Sequence, residues 1–254
     1  MQISAKQLLE VGAHFGHRTN KWNPKMGKYI YTSRNNIHII NIEQTMKMLQ
    51  EALDFVKKVV ENDGQILFVG TKKQAYNSIE EQAQRCGMPY ISSRWRGGLF
   101  TNFKQVSKSI DYYKELERTI DTFKSNKKIL ARKLRILAKL EKDLKGLRDF
   151  YELPGALYIV DPLQEEMAVK EAKLVKVPVI ALLDTDCDPD IADYPIPAND
   201  DALRSVKLIT KAIADTVLEA KGIPVTDEAT EINLNANVEN FEKEDETSEP
   251  EEEQ

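Results

Sequence analysis

Arg94, Trp95, Arg96, Gly97 and Gly98 stand side by side in the stretch YISSRWRGGLFTNFK. Guanidinium groups offer a planar fork to phosphate oxygens and can also lie flat on bases. An indole ring can stack on an unpaired base. Paired glycines let a backbone approach closely and free φ for a sharp turn. The combination suits the grip of a phosphate-rich partner, and its plain alternative is a tight turn. A second stretch, HFGHRTNKWNPKMGKYIY, carries the same mixture, with His17, Arg18, Lys21, Trp22, Lys25 and Lys28 interleaved with glycines. Cations there would meet phosphates and the ring would meet bases. The i, i+3 spacing of His14 and His17 would set both on one helical face for a metal ion, but no third ligand stands nearby in sequence.

Two other motifs invite enzymatic readings. FVGTKKQA puts Gly70, Thr71, Lys72 and Lys73 after an apolar run and at an expected helix start, where backbone amides favour an anion. It has one glycine and fits neither the mononucleotide nor the dinucleotide fingerprint, so Lys72 and Lys73 are read as phosphate contacts or as part of an ordinary turn. LLDTDCDPD supplies Asp184, Asp186, Asp188 and Asp190 at alternate positions. A twelve-residue calcium loop starting at Asp184 would need glycine and glutamate where Pro189 and Pro195 stand, which leaves a hydrated Mg²⁺ as the one candidate ion. No nucleophile with an adjacent base is evident, and neither a G-x-S-x-G nor an H-E-x-x-H motif occurs. The expectation is therefore no enzyme, no cofactor and no resident metal. The enzymatic alternative is a nucleotide- or metal-dependent α/β protein using Gly70–Lys73 and the aspartates at 184–190.

Charge sharpens the choice. The 254 residues carry a net charge of −5, but twelve acids against Lys243 give residues 226–254 a net of −11, so the remainder is +6. A basic body favours polyanions. The tail has dense like charge and few apolar residues, and the expectation is a disordered segment. The longest apolar run, VPVIALL near Val177, is far short of the roughly 18 residues that span a bilayer, and MQISAKQLLE has no apolar signal region. Cys86 and Cys187 lie far apart and read as reduced thiols in a cytoplasmic protein.

The elements that must position these loops alternate between strand and helix. QILFVG, ALYIVD and VIALLD are apolar at successive positions, as in parallel strands covered on both faces. Shorter strands are expected at Tyr90–Ile91 and Tyr194–Ile196, and KYIYTSRNNIHIIN reads as a hairpin about Asn35–Asn36. Asn41–Gln44 fits a capping box opening a helix through Val60. Asp161 with Pro162 would open another, ended by Val177 before Pro178. Leu203 to Val217 forms the last, closed by Gly222 and Pro224. Between Leu99 and Lys145 there is neither glycine nor proline. Val106, Ile110, Tyr113, Leu116, Ile120 and Phe123, then Leu130, Leu134, Leu137, Leu140, Leu144 and Leu147, recur at helical spacing. The pattern predicts an antiparallel coiled-coil hairpin joined near KSNKK, with bases at Lys124, Lys127, Lys128, Arg132, Lys133 and Arg135. The expected organisation is an α/β domain over 1–102 and 150–225, a hairpin insert over 103–149 and a tail over 226–254. A protein-docking role through the hairpin is a third reading of the same pattern.

Five stretches then occur in a recognisable order: LLEVGAHFGHRTNKWNPKMGKYIY, ILFVGTKKQA, RWRGGLFTN, ALYIVDP and DTDCDPDIADYPIPANDDALRSVKLIT. Through them the chain closely resembles the bacterial small-subunit ribosomal protein S-two family over most of residues 1–225. The resemblance implies a doubly wound five-stranded parallel sheet with a protruding coiled-coil hairpin. It also implies a non-enzymatic role in the cytoplasmic ribosome, with small-subunit rRNA and neighbouring ribosomal proteins as partners, near where the large S-one protein docks. Carried onto this sequence, the RNA-facing positions are His17, Arg18, Trp22, Lys25, Lys28, Arg94, Trp95, Arg96, Gly97, Gly98, Asn102 and Lys104. The chain departs from many relatives in having Lys145–Gly146 where they have two glycines, and in its hairpin connector DTFKSNKK.

Overall fold

The computed structural model describes residues 3–120 and 127–225. Strands β4 (Ile66–Val69), β5 (Tyr90–Ile91), β6 (Ala156–Val160), β7 (Val179–Leu183) and β8 (Tyr194–Pro197) form a sheet in the order β5-β4-β6-β7-β8. Every neighbouring pair is parallel. All residues of β4, β6 and β7 are buried, as their unbroken apolar runs require. Helix α7 (Leu203–Ala220) packs against both α2 (Ile42–Glu61) and α3 (Tyr76–Cys86), and Tyr158 from β6 meets Thr210 of α7 through their hydroxyls at 3.0 Å. Leu67, Val69, Leu157, Ile159, Val179 and Ala181 share a second buried cluster with Trp95, Leu99, Phe100, Ile110, Leu144 and Ala172. That half of the core is closed by α6 (Glu166–Val175) and by the bases of α4 (Phe103–Thr119) and α5 (Lys127–Leu144).

The hairpin at Asn35–Asn36 forms between β2 (Ile30–Arg34) and β3 (Ile37–Ile40). Both asparagines take positive φ, 51° and 61°, as a two-residue turn between antiparallel strands needs. A third strand, β1 (Phe15–Arg18), joins the other edge of β3, so His14 and His17 do not share a helical face. Asn41 caps α2 by accepting from the Glu43 N–H. Three helix limits differ from the sequence expectation. A turn over Lys72–Ala75 precedes α3, so Gly70–Lys73 do not stand at its first turn. Asp161 has φ 58° and its carboxylate accepts from the Leu163 and Gln164 N–H groups; it closes a turn, and α6 begins only at Glu166. That helix stops at left-handed Lys176, ahead of Pro178.

The arms α4 and α5 hold 17 and 18 residues, about 26 Å each at ~1.5 Å per residue. Ile110, Tyr113, Leu116 and Leu144 are buried near the sheet, whereas Ile129 and Leu134 are exposed. The expected KSNKK junction with Lys124, Phe123 on the first arm's stripe, and the acidic tail lie outside the described residues. Where α5 returns to the sheet, a Cβ on Gly146 would overlap the backbone carbonyl oxygen and ring of Tyr90. Gly146→Ala is therefore expected to destabilise the fold by about 1–3 kcal/mol through overpacking. A thermal denaturation curve unchanged by the substitution would show that the turn and β5 separate freely.

Candidate nucleic-acid interface

The loop after β5 is held from behind by one carboxylate. Glu171 of α6 is buried and accepts from the Trp95 indole Nε1–H at 3.1 Å, and from the backbone N–H groups of Gly98 (2.7 Å), Phe100 (3.0 Å) and Thr101 (3.2 Å). The Thr101 hydroxyl adds a fifth donor. Burial alone would raise the Glu171 carboxyl, but these donors hold it below the usual carboxylate range. Gly98 has φ 89°, a left-handed conformation that favours glycine.

This anchoring decides what the loop can offer. Trp95 is 7% exposed, with its ring edge-on to Phe100 at 5.1 Å; it is a core side chain and does not present a stacking face. Arg96 pairs with Asp143 of α5 at 2.8 Å. Arg94, Gly97, Asn102 and Lys104 are exposed, and among the described residues Arg94 and Lys104 make no ion pair. Asn102 precedes α4 without capping it, so its side-chain amide is left for other uses.

The second segment is held by the loops after β7 and β8. The His17 N–H donates to Asp184 Oδ1 and Thr185 Oγ1, and its Nδ1 lies 2.9 Å from Asp184 Oδ2. Asp184 is almost wholly buried, and its hydrogen bond lifts the imidazole to about 9, so His17 is a cation at neutral pH. Lys25 reaches Asp188 and Asp190, each at 2.8 Å, and both pull its ammonium upward. His17 and Lys25 are thus tied to this protein's own carboxylates. Arg18, Trp22 and Lys28 remain on the surface; Trp22 is 41% exposed, and Lys28 lies 4.9 Å over the Tyr29 ring. Met26 and Tyr29 enter the same buried cluster as Trp95, so both segments are rooted in the same half of the core.

The alternating aspartates do not converge on one point: Asp184 and Asp186 face His17, while Asp188 and Asp190 clasp Lys25. A tighter set comes from strand β1 and the loops after β7 and β8, His17, Asp184, Asp200 and Asp201, whose donor atoms lie within 4.8 Å of one another. Positive charge is already supplied to it. Lys72 Nζ stands 2.7 Å from Asp200, 2.6 Å from Asp201 and 3.3 Å from Asp161. Burial would lower the Lys72 ammonium, but these carboxylates outweigh it and raise it. Burial, with Asp161 and Asp184 nearby, pushes Asp200 up to about 7. In an open parallel sheet, ligands enter beyond the C-terminal strand ends where the strand order reverses, here between β4 and β6. That crevice is spanned by the Lys72–Asp161 pair and by Thr71 bonded to Glu165. Lys72 is therefore an internal cation, whereas Lys73 is on the surface. Glu171 and Asp184, the residues that fix both segments, carry no local sequence signal for this role, because each bonds residues 70 or more positions away.

The family described as Ribosomal protein S2 matches residues 8–220. The small ribosomal subunit protein uS2 of Fusobacterium nucleatum is 50% identical over 239 residues, covering 91% of this chain and 96% of its own length. The same-named protein of Petrotoga mobilis is 51% identical over 222 residues, with 86% and 77% covered. That of Rubrobacter xylanophilus is 49% identical over 224 residues, with 87% and 73% covered.

Glu171→Gln keeps the shape but turns a five-fold acceptor into a group with two donors of its own. It is expected to cost about 1.5–3 kcal/mol or more and to shift the fluorescence emission of Trp95; unchanged emission would show that the indole does not depend on the carboxylate. Because the His17 imidazole is raised from 6.5 to about 9, its contribution is complete below pH 6.5 and is lost as pH rises through 9. The melting temperature is expected to fall over that window, and the fall is expected to shrink in His17→Gln. Parallel curves for the two proteins would remove His17 from the account.

Proposed function

The chain belongs to the ribosomal protein S2 family, structural proteins of the small ribosomal subunit rather than enzymes, and we propose that it binds small-subunit rRNA through the 17–28 and 94–104 segments. The observation that carries this reading is the division of cations in those segments. His17, Lys25 and Arg96 are consumed by internal carboxylates. Arg18, Arg94 and Lys104 stand exposed without an ion pair among the described residues, Arg18 on β1, Lys104 in the first turn of α4 and Arg94 next to the Trp95 that Glu171 anchors. Such groups gain by releasing counterions from phosphates. Lys28, Lys73, Trp22, Gly97 and Asn102 add to the exposed set, and Gly98 shapes the loop. Trp95 and Lys72 support it from within.

Docking of the large S-one protein and contacts with neighbouring ribosomal proteins follow from the same family reading. Leu163, Met167 and Leu174, exposed along and just before α6, give a protein partner an apolar face. No step of this reading routes through a nucleotide or a metal ion, so ATP, GTP and Mg²⁺ are expected to leave the melting temperature of the isolated protein unchanged.

Arg94→Ala and Lys104→Ala are expected to weaken binding to small-subunit rRNA, with melting temperatures near that of the parent. The slope of its salt dependence is expected to become shallower by about 0.7–0.9 for each phosphate that is no longer neutralised. Trp95→Ala is expected to do the reverse first, lowering stability by about 3–5 kcal/mol. Equal rRNA affinity and equal salt slope in the two surface variants would reduce the loop to a tight turn.

A further inference from the structure

Gly97 and Gly98 are adjacent, yet the fold needs only one of them. Gly98 has φ 89° and gives its N–H to Glu171. Gly97 lies outside the left-handed region, and a Cβ built on it would meet nothing within 4 Å. Its N–H and C=O have no hydrogen-bond partner among the described residues. A glycine raises the entropy lost on folding, so one that relieves no strain and no close approach within the chain is a net loss to the fold. The space its missing side chain leaves opens into a groove of about 520 Å³ between the 94–98 loop and the bases of α4 and α5. That is within the range of roughly 300–1,000 Å³ that holds small ligands.

Four side chains of the groove's lining are not used by the fold. Arg94 and Lys139 make no ion pair among the described residues, and the side-chain amides of Asn102 and Gln105 have no partner among them. Arg96, on the same wall, is fixed by Asp143 and keeps the loop and α5 in register. Two cations, two amides that both donate and accept, and a bare peptide plane form a specific complement. Resting on the reading of the chain as an rRNA-binding protein, we propose that this groove receives one unpaired nucleotide of an RNA strand. Its base lies against the Gly97 peptide, with its edge read by Asn102 and Gln105. Its phosphate meets Arg94 and Lys139. A paired nucleotide is excluded because a base inside a helix cannot enter a cleft between a loop and two helices; an extruded base can.

The test uses the full chain and three RNAs: protein-free small-subunit rRNA, a short stem–loop with a single bulged nucleotide, and its fully paired counterpart. The unmodified chain is expected to bind rRNA, and to bind the bulged stem roughly tenfold more tightly than the paired one. Gly97→Val, which sets a branched side chain beside the peptide plane the base would lie against, at a position where an added Cβ meets nothing within 4 Å, is expected to abolish that preference while leaving the melting temperature unchanged. Gly98→Ala is expected to lower the melting temperature. No binding of rRNA by the unmodified chain would overturn the rRNA reading itself. Binding of rRNA with no preference for the bulge, or an undiminished preference in Gly97→Val, would overturn the groove alone. So would a fall in the melting temperature of Gly97→Val, which would mean the fold does use that glycine. Displacement of the bulged stem by polyglutamate of equal charge would assign the groove to an acidic polypeptide and overturn the nucleotide.

Discussion

A buried carboxylate must find donors for its oxygens, and in this fold two such carboxylates find them in surface loops. Glu171 collects an indole N–H, three backbone N–H groups and a hydroxyl from residues 95–101. Asp184 collects the backbone and ring nitrogens of His17. An unpaired charge inside a core would cost several kcal/mol, so neither loop can leave without a penalty of that order. The consequence for binding is a surface arranged before its partner arrives. On contact with a polyanion, Arg94 and Arg18 would spend side-chain entropy, while the segments that carry them are already tied to the core.

The same logic closes the place where a doubly wound sheet would otherwise take a small ligand. Thr71, Lys72, Asp161, Asp184 and Asp200 all follow strands of the sheet; beyond its C-terminal edge Lys72 answers Asp161 and Asp200, Thr71 answers Glu165, and Asp184 answers His17. Lys72 sits where the phosphate loop of a nucleotide-binding protein of this architecture would lie, but it points into aspartates instead of toward an anion. An ATP phosphate arriving there would meet net negative charge. The architecture is thus shared with many enzymes while the crevice is committed to holding the loops in place.

Sheet and helices are largely legible in the sequence because burial on both faces writes an unbroken apolar run, as in ILFV and ALYIV, and because Asn35–Asn36 suits a turn with two positive φ values. Strand β1 is not legible: FGHR has no alternation, and only pairing with β3 makes it a strand. The turns before α3 and α6 imitate helix starts, since Lys72 and Asp161 fit first-turn positions equally well until their tertiary partners are known. At the interface, residue type announces the chemistry but not its direction. Trp95 and Trp22 look alike in sequence; one supports the core through Glu171 and the other faces out. Such direction is set by residues far away along the chain, which no local pattern contains.

Direction also matters for charge. The loop at 184–190 brings acids close to the segment read as the RNA surface, and exposed aspartates there would repel phosphate. Lys25 answers both Asp188 and Asp190, while His17 answers Asp184 and, at longer range, Asp186. Each cation faces two carboxylates, so each cluster keeps a net negative charge, and the cation adds no attraction but offsets part of a repulsion. Partial neutralisation at 17 and 25 leaves Arg18, Lys21 and Lys28 as the exposed cations a polyanion would feel at short range. A cation in such a segment can therefore serve binding without touching the partner, and removing Lys25 would expose two carboxylates rather than delete one phosphate contact.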